Sequence, residues 1–136
     1  LPDIAATFAV LYQSLWTQPH VPAEILELCR LRLAQLHGSA VDMQRCDCEI
    51  PADKRNNLTH WDTLSSFSAA ERACLAFTEV YAMDAQALTD EHAGEVKAHF
   101  GDAGLVILVE ALGILDGMTR LSLLWQLPAN TAQQTA

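Results

Sequence analysis

The residues able to do chemistry in this 136-residue chain gather in one stretch, HGSAVDMQRCDCE, residues 37–49. It holds His37, two thiols spaced Cys46-x-Cys48, and the acids Asp42, Asp47 and Glu49. Two thiols one residue apart can close a small, strained and readily reduced disulfide. Thiolate is the reactive form, and Asp47 and Glu49 are expected to raise both thiol pKa values and suppress it. Glu27 and His37 suggest a different chemistry, in which a carboxylate with an imidazole or water as partner shuttles protons for a substrate held in a pocket. The structural alternative pairs Glu27 with Arg30 or Arg32 on a helix surface. It leaves His37 facing solvent at the helix end, where the dipole favours an imidazolium. One C-x-C unit with His37 or His60 lacks the paired ligand units that zinc uses, so neither a metal nor a cofactor is expected.

These residues need helices to position them. Ile4, Phe8, Leu11 and Leu15 recur at helical spacing, predicting a helix over Asp3 to Trp16. Pro22 suits the first turn of a second helix with Ile25, Leu28, Cys29, Leu33 and Leu36 on its apolar side, and Gly38 is a natural stop. A short helix over Ala40 to Cys46, a loop over Asp47 to Pro51 and a weak polar helix over Ala52 to Leu64 are expected next. Ser68 and Glu71 have capping-box spacing and open a helix carrying Cys74, Phe77 and Tyr81. Thr89 opens another, ending near Phe100 and Gly101. Residues 102–127 then form a long apolar helix that could reach about 39 Å. Within it, Asp116 and Arg120 lie one turn apart and read as an ion pair, because a lone charge there is costly.

Composition sets the class. Hydrophobic residues make up 51% of the chain and aromatics only 7%, which suits a core of aliphatic side chains between helices. No strand-turn-strand alternation appears, so the fold class is all-α, in a single domain over residues 1–136. Seventeen acidic against eight basic residues give a net charge of −9. No basic cluster is longer than Lys54-Arg55, so nucleic acid is not an expected partner. A membrane is not expected either, because Glu110, Asp116 and Arg120 interrupt the long apolar run. Cys29 and Cys74 sit in apolar helical patterns, and no secreted disulfide framework or secretory leader is recognisable, so a cytoplasmic location is expected. The apolar residues of 102–127 surround the helix, which predicts a homo-oligomer formed through it.

The order of landmarks is also informative: ELCRLRLAQLHG, a short polar stretch, Trp61 with FSAAERACLAFTE, LTDEH, and a long apolar helix ending in TRL. Over roughly residues 22–127 it resembles the carboxymuconolactone decarboxylase family, which includes the alkylhydroperoxidase D-like proteins. The resemblance implies a bundle of about six helices that assembles into dimers, trimers or hexamers. Peroxidatic members carry C-x-x-C-x-x-x-H just after the helix that here ends at Gly38. The first turn of a helix stabilises thiolate, and the two-residue spacing lets the second thiol resolve a sulfenic acid. An upstream Glu and the His relay protons. Aligned without gaps, this chain offers Ser39, Asp42 and Cys46 for the Cys, Cys and His of that motif, with Glu27 at the upstream Glu. A gapped match places Gln44 at the His. In either alignment the dithiol and its His are replaced.

The resemblance therefore implies a peroxidase-type oxidoreductase lineage whose peroxidatic dithiol is lost and whose activity is weak or changed. Any remaining redox chemistry falls to Cys46 and Cys48. One alternative is a cysteine-independent acid–base enzyme acting on a small lactone or carboxylate through Glu27, with His37 as its helper. Another is a non-enzymatic oligomeric module that binds a small molecule. A closed interior with no pocket beside Glu27 would favour the last.

Overall fold

The computed structural model describes residues 1–125. Six α-helices account for them, joined by loops and two short 3₁₀ turns: α1 Pro2–Leu15, α2 Ala23–His37, α3 Ala40–Gln44, α4 Ala52–Asn56, α5 Ala69–Asp84 and α6 Asp90–Leu124. The all-α class and the helix number follow the expectation from sequence. Helix α2 lies at the centre against α5 and α6. Leu26, Leu28, Leu33, Leu75, Leu108, Leu112 and Leu115 are buried to within 1% of full coverage and form the core. Aliphatic burial of this kind contributes about 1.5–3 kcal/mol per side chain.

Local chemistry explains the boundaries. Gly38 ends α2 in the left-handed conformation, φ 69°, which a glycine adopts without a Cβ clash. Ser68 and Glu71 form the expected capping box, and Thr89 and His92 form a second at the start of α6. Gly101 is non-helical, φ 71° and ψ −176°, so α6 is two helical segments, 90–100 and 102–124, meeting at a kink. The sequence expects this division. The last two residues of the expected helix, 126 and 127, lie outside the described residues.

Two expected elements are shorter. α3 ends at Gln44 rather than Cys46, because Arg45 turns to extended backbone (φ −75°, ψ 148°) and directs its side chain into a buried polar cluster. α4 stops at Asn56, and Leu58–His60 is a 3₁₀ turn. Its only buried residue, Leu58, packs into the core. The Arg72 guanidinium donates to the carbonyls of Phe67 and Leu64, holding the following loop in a non-helical path.

α1 forms where expected, but Leu15 is its only buried residue. Ile4 is 64% and Leu11 47% exposed, so among the described residues most of its apolar stripe is left uncovered. α6 is long and apolar enough, by length and composition, to cross a membrane. It is nevertheless kinked, and it packs Val96, Leu108, Leu112 and Leu115 into the core.

Candidate functional site

Helix α2 carries two charged side chains on its core side, Glu27 at 0% and Arg30 at 1% exposure. They lie one turn apart and meet in a two-pronged pair: Arg30 Nε donates to Glu27 Oε1 at 2.6 Å and Nη2 to Oε2 at 3.0 Å. The surface pairing that sequence allows for Glu27 is thus corrected in one respect. The partner is Arg30, but the pair is buried. Two buried charges cost several kcal/mol each in lost hydration, which only complete hydrogen bonding offsets. The following loop supplies it. Arg30 also donates to the carbonyls of Asp42, at 2.8 Å, and Arg45, at 2.6 Å. The Asp47 N–H donates to Glu27 Oε2 at 3.0 Å.

Ser39 and Asp42 stand on the next turn of chain. Ser39 precedes α3 and is 1% exposed; Asp42, inside α3, is fully buried. The Ser39 hydroxyl donates to Asp42 Oδ2 at 2.5 Å, and Arg45 Nη1 donates to Asp42 Oδ1 at 3.0 Å. A serine and a carboxylate are therefore joined directly at the two positions the family resemblance assigns to thiols.

Two further residues were not singled out from sequence. Tyr12 on α1 donates its hydroxyl to Asp47 Oδ2 at 2.5 Å and accepts from Arg45 Nη2 at 3.1 Å. Arg55 on α4 donates to the carbonyls of Met43 and Arg45 and lies 4.0 Å from Glu27 Oε2. Arg30, Arg45 and Arg55 thus face Glu27, Asp42 and Asp47, three charges against three. Burial and the bond to Asp47 push the Tyr12 phenol up. Burial opposes the charge on Arg30, but Glu27 and Asp47 outweigh it and hold the guanidinium more firmly protonated. The one sequence cue was Arg45, set among the acids of residues 42–49. Nothing local points to Tyr12, which reaches the site from 35 residues away.

His37 is not part of this cluster. Its Nε2 lies 2.6 Å from Asp116 Oδ1 on α6, while Asp116 Oδ2 accepts from Arg120 Nε at 2.8 Å. The expected Asp116–Arg120 pair is present. His37, expected to face solvent, instead closes a three-residue chain between α2 and α6, because Asp116 supplies a carboxylate one helix away. The structure does not bring His37 to Glu27 as a proton-shuttling partner.

Cys46 and Cys48 are free thiols on the loop after α3, Cys46 exposed and Cys48 half-buried. Both pKa values are raised. For Cys46 the causes are such burial as the site imposes, then Glu49 and Glu27. For Cys48 they are burial, then Glu27 and Glu24. The expected direction holds, with Glu27 acting on both thiols and Asp47 not among the leading causes. Among the described residues, no three His, Cys, Asp or Glu side chains are grouped to hold a metal.

One cleft borders the cluster, and a second adjoins that cleft at Phe8 and Met118. The first, about 290 Å³, is lined by Phe8, Tyr12, Gln13, Arg45, Asp47 and Met118. The other, about 460 Å³ and almost wholly apolar, lies between α1 and the end of α6, with Leu1, Ile4, Phe8, Met118, Leu121 and Trp125 around it. Neither is lined by Glu27, Ser39 or Asp42.

No protein-family model and no curated protein matches the chain. Solved structures do match. One is ATU0492 from Agrobacterium tumefaciens, a protein of unknown function described as a candidate antioxidant defence protein AhpD. It is 18% identical with a TM-score of 0.82, over 96% of this chain and 93% of that one. A second is a cysteine-to-alanine variant of the debrominase Bmp8 in complex with 2,3,4-tribromopyrrole, 18% identical with a TM-score of 0.83, over 98% and 74%. The apo debrominase gives the same identity and TM-score over 98% and 75%. Likeness this extensive at such low identity is a likeness of architecture, and the chain has the AhpD-like helical fold.

Proposed function

We propose that this chain is a self-assembling binding module on the AhpD-like fold, from a peroxidase-type oxidoreductase lineage. In this reading the position of a peroxidatic dithiol has become a buried polar brace. The observation that carries it is the closure around Glu27. Both carboxylate oxygens are occupied by Arg30, one also by the Asp47 N–H, and the side chain is 0% exposed. A general base needs a proton to take and a substrate within reach. Glu27 has a bound guanidinium instead. At the neighbouring positions, a serine cannot pass through the sulfenic state and an aspartate cannot resolve one.

Self-association is supported by what the chain leaves uncovered. Ile4, Val10 and Leu11 on α1, and Val106, Val109, Leu121, Leu123 and Leu124 on α6, are all at least 36% exposed. Large apolar side chains left uncovered along two helices suit burial against a second copy of the chain. The small-molecule part is supported by the cleft beside Tyr12, Arg45 and Asp47, where Arg45 could meet a carboxylate. With a net charge of −9 and free thiols at exposed Cys46 and half-buried Cys48, we place the protein in the reducing cytoplasm, away from nucleic acid and membrane.

Two measurements test the proposal. Incubation with cumene hydroperoxide and a thiol reductant should give no catalytic turnover, and sustained reductant consumption that depends on Cys46 and Cys48 would overturn it. Sedimentation velocity should show an oligomer that Leu121→Glu dissociates, and a wild-type monomer at high micromolar concentration would refute the assembly.

A further inference from the structure

The loop after α3 alternates. Arg45 and Asp47 turn inward to the polar cluster, while Cys46 and Cys48 turn outward as free thiols. Asp47 is what fastens this loop. Its N–H donates to Glu27 Oε2 at 3.0 Å, and its Oδ2 accepts from Tyr12 at 2.5 Å, beside Arg30 Nε at 3.2 Å and Arg45 Nη2 at 3.3 Å. The thiols are directed elsewhere. Cys46 Sγ faces the Cys48 carbonyl at 3.4 Å and the Glu49 carboxylate at 3.8 Å, and Cys48 Sγ faces the Glu49 carbonyl at 3.7 Å.

A bond between the two sulfurs requires about 2.05 Å between them. The ring it closes contains the Asp47 Cα and both of its peptide units. Closing so small a ring restricts the Asp47 backbone dihedrals, which aim both its N–H and its side chain. We propose that Cys46 and Cys48 are a thiol–disulfide exchange site for small disulfides, and that their oxidation unseats Asp47 from Glu27, Arg30 and Tyr12. Seated Asp47 and the closed disulfide compete, so each state opposes the other by the same free energy.

The reaction balances without a metal or an enzyme partner. The thiolate of Cys46, the more exposed of the two, attacks one sulfur of the small disulfide and releases the first thiolate. The Cys48 thiolate then attacks Cys46 Sγ, forms the internal disulfide and releases the second. Two electrons pass from the protein to the small disulfide, and the two cysteine protons end on the two released thiols. The acids around the pair keep thiolate scarce, so exchange is slow. The site follows the prevailing thiol–disulfide poise over long exposure rather than scavenging an oxidant.

The inference stands on the loop geometry, so the result of the hydroperoxide assay leaves it untouched. Its test is equilibration of the full chain in reduced and oxidised glutathione, with the Cys46–Cys48 disulfide quantified by alkylation and mass spectrometry. Asp47→Asn and Tyr12→Phe both weaken the seat, and the second removes only a hydroxyl, with its bonds to Asp47 and Arg45, while keeping the ring, so a folded variant remains available. Both variants should oxidise more readily, by about tenfold in the exchange constant, within the range of coupled sites. Oxidation should also lower the Tm of the wild-type chain more than that of either variant. Equal exchange constants in all three proteins would overturn the proposal, and so would mixed glutathione adducts with no internal disulfide.

Discussion

Ser39 and Asp42 share a 2.5 Å hydrogen bond and are both buried. This single contact gives the first turn of α3 a fixed, polar and non-redox character. The remaining carboxylate oxygen accepts from Arg45, and Asp42 is closed to solvent. The pair resembles a brace more than a reactive couple, and its removal has a cost that can be measured.

Ser39→Ala leaves Asp42 Oδ2 without its donor in a site closed to water. Leaving a buried acceptor unmatched costs about 1–3 kcal/mol. Urea unfolding of the two proteins should show that loss as a lower midpoint with an unchanged slope. A neutral result would mean that water reaches Asp42.

The four cysteines should separate cleanly by reactivity. Burial pushes Cys29 up to about 12, and Cys74 is also raised by burial. Iodoacetamide on the native chain should therefore label Cys46 and Cys48 and spare the other two. Because Cys46 and Cys48 are also raised, labelling should keep accelerating above the ordinary free-thiol range near pH 8.5. Glu49→Gln should move the Cys46 profile to lower pH, since it removes the nearest acid.

Glu71 predicts an acid-side dependence. Burial alone would raise its pKa, but hydrogen bonds from Lys54 and from the Ser68 N–H outweigh burial and hold the carboxyl below its usual range. A depressed carboxyl contributes stability that is fully present above the unfolded value of about 4.3 and is lost as pH falls through the folded value. Lys54→Met should consequently cost most above about pH 5 and progressively less as pH falls through the depressed folded value. Parallel unfolding curves at all pH values would contradict this.

Much of the framework was legible because its signals are local. The Ser68–Glu71 capping box and the Gly38 stop each need only a few residues of sequence, and both appear in the structure. The Glu27–Arg30 pair was legible as a pair, since three residues along a helix bring side chains together. Its burial was not, because that depends on the loop carrying Arg45 and Asp47 and on Tyr12 arriving from α1. His37 was misjudged for the same reason. Its partner Asp116 lies 79 residues away, although the isolated acid in an apolar helix had already signalled a need for partners. Local chemistry ended the helices, whereas the polar cluster depends on convergence that no short window contains.

The central claim is that Glu27 is a structural counter-ion to Arg30 and not a base held for catalysis. Equilibrium unfolding of Glu27→Gln tests it most directly. The substitution keeps the shape of the side chain and removes the charge that neutralises a buried guanidinium, so a loss of about 3–5 kcal/mol is expected. Unchanged or increased stability is what a catalytic group kept at a cost to the fold would give, and that result would contradict the account.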